Sequence, residues 1–270
     1  MKFVQSEEEL YHNISVVKKN AVQYITNFYF TGFKLKELID NHKLYMINKE
    51  NHISFLREND GFYDLYFCSS NEGFLEKSLA EDLNNLTLPI VVDLIGEGKT
   101  IKKLEEIFIK HDFNYYTTFI RLSKMNNNTN ILYTTDDILF AKQEDASEIY
   151  NMISVNLDKY CHHLPSLEEI KEAINKDNIL IKKEKNRIIA FSIFGKIGFS
   201  STRRYGFVDE NFRGQKLYAK LSKKYFDECK NVKRFMVWVE TSNSRIISIQ
   251  KKYGYSYDNL TDLIMIKGPV

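Results

Sequence analysis

Cysteine is scarce in this chain, and its few residues form no metal-binding pattern. The 270 residues include three cysteines, Cys68, Cys161 and Cys229, and none belongs to a C-x-x-C motif. This number and spacing argue against a disulfide framework and against a four-cysteine zinc site. We therefore expect free thiols in a reducing cytoplasm and no bound metal.

A large net charge of either sign is also missing. The 38 Lys and Arg residues nearly balance the 36 Asp and Glu residues, and the formal net charge is +2. Surfaces that bind nucleic acid or anionic membranes normally carry a broad basic field. The composition therefore predicts neither partner, and an anionic ligand must be held by a local group.

Long apolar runs are absent as well. No stretch approaches the ~20 consecutive apolar residues of a membrane-spanning helix. The acidic residues of "MKFVQSEEELYHN" stand where a secretory signal has its apolar core. The hydrophobic fraction of 43% and the aromatic fraction of 14% are typical of a globular protein. We predict a soluble, cytoplasmic protein.

A polar run divides the sequence into two parts. The segment "MNNNTN", residues 125–130, has no apolar periodicity and is rich in residues that favour turns. We predict a linker at 126–130 between a first domain, 1–125, and a second domain, 131–270.

The two parts resemble each other in their alternation of helical and strand-like segments. When "IFIKHDF" is aligned with "IQKKYGY", Phe113 stands opposite Tyr255. This weak repeat predicts a duplicated α/β unit, in which each copy has a mixed central sheet flanked by helices.

A basic turn at the start of a helix is the first candidate binding site. In "VDENFRGQKLYAKL", residues 208–221, a strand-like segment leads through Arg213 and Gly214 into an apolar helical pattern. A helix start offers unpaired amides and partial positive charge to a phosphate. Arg213 adds a guanidinium, and Gly214 permits close approach of the backbone. Taken by themselves, these residues are more typical of a turn that binds nothing.

A second strand and helix follow at "VWVETSNSRIISIQKKYGY". The strand ends near Glu240, Asn243 is placed to cap the helix, and Gly254 with Tyr255 ends it. Capping and core packing account for these residues equally well without a ligand.

The two elements together resemble the GCN5-related N-acetyltransferases (GNAT). The acyl-CoA turn of that family reads Gln or Arg, two residues of any type, Gly, any residue, and Gly or Ala. The matching positions are Arg213, Gly214, Gln215, Lys216, Leu217 and Tyr218. A later family segment, Asn followed by Gly and an aromatic residue, matches Asn243, Gly254 and Tyr255. The resemblance covers about 131–270.

The first half looks like the same fold without its acyl-CoA motif. Glu72 and Gly73 stand in place of the basic turn, and a carboxylate there would repel a pyrophosphate. The resemblance thus implies a tandem protein whose first unit is structural or helps to shape the substrate pocket.

The resemblance also implies a function and a set of site residues. The second unit would bind acetyl-CoA and pass the acetyl group to a primary amine, on a small molecule or a peptide, by direct attack in a ternary complex. The six turn residues from Arg213 to Tyr218 would hold the pyrophosphate, and Phe207, Val208 and Asp209 the pantetheine. Asn243 and Gln250 would lie near the pantetheine or the thioester.

The candidate catalytic residues are less distinct. Many relatives carry a tyrosine where this chain has Gln250, and an amide cannot supply a proton to the departing thiolate. Tyr253 is the candidate to replace that tyrosine, and Glu240 and Tyr205 are candidates for the general base. His162 and His163, in "DKYCHHLPS", are candidates for the acceptor site because imidazole titrates near neutrality. Each side chain is equally typical of an exposed or packing residue.

Two other functions are compatible with these residues. The bulky Lys216 and Tyr218, together with Gln250, are compatible with a non-catalytic module that binds or senses acyl-CoA. Paired units of this fold also resemble the transferases that use aminoacyl-tRNA. The near-neutral charge weighs against that last function, because tRNA binding normally needs a broad basic face.

Overall fold

The computed structural model describes residues 1–30, 32–83, 86–127 and 132–269, except for the side chains of 32 and 33. Two compact units account for the chain. Unit 1 consists of Met1–Thr118 and Asn259–Val270, and unit 2 of Phe119–Asp258.

This division differs from the predicted boundary at 126–130. Residues 119–125 pair with a strand of unit 2, and residues 261–267 pair with a strand of unit 1, so each unit is completed by a segment from the other half of the sequence. Of the predicted linker, Asn126 and Asn127 are described, and 128–130 lie outside the described residues. The Asn126 N–H donates to the carbonyl of Lys233 at 2.9 Å.

The two halves have the same order of elements. The first contains β1 (Lys2–Phe3), α1 (Glu7–Lys19), β2 (Ile25–Thr26), α2 (Gly32–Asp40), β3 (Leu44–Lys49), β4 (His52–Glu58), β5 (Tyr63–Ser69), α3 (Glu72–Asp82), β6 (Ile90–Gly96), α4 (Gly98–Ile109) and β7 (Asn114–Met125). The second contains β8 (Leu139–Phe140), α5 (Ala146–Asn156), α6 (Leu167–Asn175), β9 (Ile179–Glu184), β10 (Arg187–Ile197), β11 (Ser200–Val208), α7 (Leu217–Glu228), β12 (Arg234–Glu240), α8 (Ser244–Lys252) and β13 (Ser256–Lys267).

Only β2 interrupts this correspondence among the described strands and α-helices. The predicted alignment of Phe113 with Tyr255 agrees with it, because each residue directly precedes the last strand of its half and both are buried. Each also donates its N–H to the carbonyl five residues earlier, at 3.2 and 3.1 Å. The shared order is what a duplicated unit requires.

Unit 1 has a mixed sheet in the order β1-β3-β4-β5-β6-β13. The pair β5–β6 is parallel and the other neighbours are antiparallel. Apolar side chains of α3 and α4 pack in one buried cluster, and those of α1 and α2 in another. The alternation along each strand thus buries both faces.

Unit 2 repeats this arrangement in the order β8-β9-β10-β11-β12-β7, with β11–β12 as its parallel pair. Helix α7 contributes Leu217, Leu221 and Tyr225 to one buried cluster, and α5 and α6 contribute to a second cluster. The cysteines form no disulfide, and no described helix is long and apolar enough to cross a membrane.

Candidate functional site

The parallel strands of unit 2 diverge before either of them ends. Strands β11 and β12 are paired only from Ser200 opposite Arg234 to Arg203 opposite Val237. Beyond that point β11 continues to Val208, bonded to β10, and β12 continues to Glu240, bonded to β7. We call the gap between 204–208 and 238–240 the slot, and Arg203 marks its closed end.

A β-bulge determines which groups of β11 face the slot. Tyr205 pairs with Ile193 and Arg203 pairs with Phe194, so Arg204 has no opposite residue on β10. An extra residue reverses the alternation of the strand. Side chains of Tyr205 and Phe207 therefore pack in the α5–α6 cluster, whereas Val208 packs with α7.

The same alternation applies to the backbone. The N–H of Asp209 donates to the carbonyl of Ile189 on β10 at 2.9 Å. Because the pattern alternates along an antiparallel pair, Phe207 also bonds to β10, and the N–H and C=O groups of Gly206 and Val208 point into the slot. Of the three predicted pantetheine-binding residues, only Val208 thus presents backbone to the slot. Gly206 was missed because the bulge leaves no signal in the sequence.

The Asp209 carboxylate holds the turn that follows β11. It accepts hydrogen bonds from Arg187 Nη2 at 2.8 Å and from the backbone N–H and side-chain amide of Asn211 at 3.0 and 3.1 Å. A short 3₁₀ turn, Glu210–Phe212, then leads to α7. Asp209 therefore shapes the turn through its side chain.

The predicted pyrophosphate turn is exposed at the start of α7. Arg213, Gly214, Gln215 and Lys216 are all accessible, and no side chain caps the helix. Gly214 has φ +89° and Lys216 has φ +61°. Both values lie in the left-handed region, where glycine is favoured, so Lys216 adopts a conformation that glycine takes more readily. Leu217, also predicted here, is instead buried in the core.

Tyr218 covers the α7 side of the slot. A Cβ placed on Gly206 would lie 3.8 Å from Cε2 of Tyr218. Its hydroxyl accepts hydrogen bonds from Arg203 Nη1 at 2.8 Å and from Gln250 Nε2 at 2.6 Å. Gln250 is only 1% exposed. The structure thus brings together two of the three residues that depart from the family pattern, Tyr218 and Gln250, around a buried arginine.

The other predicted residues of α8 have structural roles. Oδ1 of Asn243 accepts from the N–H of Ile246 at 3.1 Å, which is an N-cap. Tyr253 ends the helix, packs edge-on against Phe226, and accepts Lys124 Nζ at its carbonyl at 3.0 Å. Burial raises the pKa of the Tyr253 phenol.

Four other predicted residues lie near one another on the α5–α6 side of the sheet, namely Tyr205, His162, His163 and Glu240. The Tyr205 hydroxyl donates to the carbonyls of His162 at 3.0 Å and His163 at 2.8 Å. The His162 ring meets Phe119 edge-on, and Phe119 pairs with Glu240 across β7 and β12. Burial is the main cause that lowers the pKa of His162, and the hydrogen bond to the Asp158 carbonyl and the charges of Asp158 and Glu240 oppose it. His162 is therefore neutral at physiological pH and can accept a proton.

Tyr205 also fixes the loop that carries the histidines. Its proton is engaged by two carbonyls, so we assign it a positioning role. Nδ1 of His162 lies 3.0 Å from Cys161 Sγ and 3.1 Å from the Asp158 carbonyl, which further orient the ring. His163 is exposed and has φ +44°.

Unit 1 has the equivalent gap, and its own chain fills it. Strands β5 and β6 pair from Tyr63 opposite Ile90 to Leu65 opposite Val92 and then separate. Strand β2 lies against β5 beyond that point, with Thr26 opposite Cys68.

Asn27 completes this filling. Its Nδ2 donates to the carbonyls of Leu65 and Asp93, each at 3.0 Å, and its Oδ1 accepts from the N–H of Phe67 at 2.7 Å. The side-chain amide thereby bridges β5 and β6 in the space between them. The predicted loss of the acyl-CoA motif from the first half agrees with a gap that is already occupied.

In the part of the chain that the structure describes, no three His, Cys, Asp or Glu side chains converge to hold a metal ion.

Comparison with known proteins identifies the fold. No protein-family model matches the sequence, and no curated protein matches it. A GNAT-family acetyltransferase from Colwellia psychrerythraea is similar in structure, with a TM-score of 0.59, 10% identity and coverage of 99% of both chains. A GCN5-related N-acetyltransferase from Sphaerobacter thermophilus has a TM-score of 0.59 and 9% identity, with coverage of 82% of this chain and 77% of that one.

A third solved structure is itself a tandem GNAT protein, from the clavulanic acid biosynthesis pathway. It has a TM-score of 0.56 and 6% identity, and the match covers 81% of this chain and 80% of that one. The predicted mixed α/β fold with GNAT-like units is confirmed.

Proposed function

We propose that unit 2 binds acetyl-CoA in the slot and transfers the acetyl group to a primary amine. The observation that carries this proposal is the contrast between the two gaps. Strand β2 fills the gap of unit 1, whereas no strand within the described residues fills the slot of unit 2. Backbone groups at Gly206 and Val208 are therefore available to a ligand that pairs as a strand does.

The parts of acetyl-CoA correspond to separate parts of this site. The amides of pantetheine can pair with the backbone of Gly206 and Val208. The pyrophosphate would lie at the start of α7, where free helix amides, Arg213 and Lys216 supply positive charge. Arg213 and Lys216 thus supply locally the positive charge that the chain, with its near-zero net charge, does not supply overall.

The reaction would proceed by direct attack in a ternary complex. The amine nitrogen approaches the thioester from the side of His162 and Glu240, and neutral His162 accepts the amine proton. A backbone N–H of β11 stabilises the oxyanion that forms on the carbonyl. Holding both reactants in one cleft lowers the entropic barrier.

A second function is favoured by one specific observation. Tyr218 covers one side of the slot, and its partner Gln250 cannot donate a proton as the tyrosine of many relatives does. A module that binds acyl-CoA without turnover would have these features.

Binding and turnover separate these functions. Fluorescence of Trp238, the only tryptophan and a residue at the edge of the slot, is monitored while acetyl-CoA is added, and thiol release is then measured with a panel of primary amines. Saturable binding with amine-dependent release supports the transferase. Binding without release supports the sensor, and absence of binding contradicts both.

A further inference from the structure

Arg203 is a buried cation that no carboxylate of the described residues neutralises. Its side chain lies on the α7 side of β11, and the residue is 5% exposed. One terminal nitrogen, Nη1, donates to the Tyr218 hydroxyl at 2.8 Å and to Ser222 Oγ at 3.1 Å. Within the described residues, Nε and Nη2 have no hydrogen-bond partner and no salt bridge reaches the guanidinium.

The groups around this guanidinium are aromatic and neutral. It lies 5.2 Å from the ring centre of Tyr218 and 4.7 Å from that of Tyr225. The titratable groups that interact with it are the phenols of Tyr218, Tyr255, Tyr225 and Tyr253 and the thiol of Cys229. Cation–π contacts offset part of the desolvation cost, but a buried charge with two unbonded N–H groups remains costly. Such an arrangement is suited to an anion that the protein does not itself supply.

The position of Arg203 identifies where that anion would be. Arg203 forms the last residue pair before β11 and β12 separate, so it lies at the closed end of the slot. The start of α7, with its free amides, lies after the other end of β11. A ligand whose pyrophosphate is held at the start of α7 would extend along β11 with its sulfur toward Arg203.

The reaction produces an anion at that sulfur. When the amine attacks, a C–N bond forms, the C–S bond breaks, and its electron pair remains on sulfur as the CoA thiolate, while the amine proton passes to the base. Gln250 cannot protonate the thiolate. Without a proton from Gln250, a positive charge near the sulfur would stabilise the leaving group as an anion until it is protonated.

We propose that Arg203 stabilises the departing CoA thiolate through its Nε and Nη2 hydrogens. This role rests on the proposed function and adds a catalytic residue to it. Tyr218 and Ser222 hold the guanidinium in place by bonding to its third nitrogen.

The direct test is a titration of the thiol in CoA bound to the wild-type protein, in which the ultraviolet absorbance of the thiolate is the signal. Arg203 should lower the pKa of the bound thiol by about one unit or more relative to free CoA. In R203M the bound thiol should titrate at or above the value of free CoA. A wild-type thiol that titrates as in free solution overturns the proposal, whether or not any variant folds.

Kinetics provide the second readout. R203M should bind acetyl-CoA with an affinity within a few-fold of the wild type, because the thioester is neutral, but its kcat should fall about a hundredfold or more. R203K should recover part of that loss, since it keeps the charge without the fork geometry. R245M is the matched control, because Arg245 is exposed on α8, and it should behave as the wild type.

These outcomes distinguish the two proposals. Acetyl transfer by the wild type with an unshifted thiol pKa, or with a wild-type rate in R203M, contradicts the role of Arg203 and leaves the proposed function intact. Failure of the wild type to bind CoA contradicts the proposed function and removes the role of Arg203 with it.

Discussion

At the scale of residues, the bulge at Arg204 decides which amides of β11 a ligand can reach. The N–H of Val208 faces the slot, whereas that of Phe207 belongs to the ladder with β10. The two neighbours therefore provide a matched pair of substitutions.

V208P removes a slot-facing donor and no ladder bond. We expect V208P to weaken acetyl-CoA binding roughly tenfold, as the loss of one buried hydrogen bond predicts. F207P should lower the melting temperature much more, because proline there breaks the ladder with β10. Calorimetric binding and thermal unfolding measure the two effects. Equal acetyl-CoA affinity in V208P and the wild type would contradict the assignment of the Val208 N–H to the slot.

His162 sets the expected pH dependence of turnover. Burial lowers its pKa, so the imidazole stays neutral to a lower pH than usual, and the rate should fall at a lower pH than it would with an ordinary histidine as the base. H162N should reduce kcat and remove this acidic limb, whereas H163N should not, because Tyr205 contacts His163 through its carbonyl. A pH–rate profile tests both variants, and an unchanged acidic limb in H162N would exclude His162 as the base.

At the scale of elements, β2 makes the difference between the two units. Asn27 is 4% exposed and bonds three backbone groups of β5 and β6 with its side-chain amide. The filled gap is a part of the core of unit 1.

N27A should therefore destabilise unit 1 by about 3 kcal/mol, since buried donors and acceptors lose their partners. Urea unfolding measures the loss. Substitution of Asn243 to Ala is the control, since it removes only one capping bond of an exposed residue and should cost about 1 kcal/mol. An N27A loss no larger than that of N243A would show that the bridge is not structural.

The elements also show what the sequence could and could not predict. Helices, the repeat and the turn at Arg213 follow from local signals, namely apolar periodicity, caps and glycine. The insertion of β2, the bulge at Arg204 and the exchange of 119–125 and 261–267 depend on pairing between distant segments, which local patterns do not encode. The sequence marked Tyr218 and Gln250 as unusual, but only the fold shows that they bond to each other and, through Tyr218, to Arg203.

At the scale of the whole molecule, the two units are not equivalent. The two units share one order of elements, yet unit 1 fills its gap with β2 and unit 2 does not. The proposed acetyl-CoA site therefore belongs to unit 2 alone.

Isothermal titration of the full chain with acetyl-CoA tests this asymmetry most directly, because it counts the sites. The account predicts one site per chain, weakened by V208P and unaffected by a substitution in β2 that leaves the protein folded. Two sites per chain, or none, would contradict it.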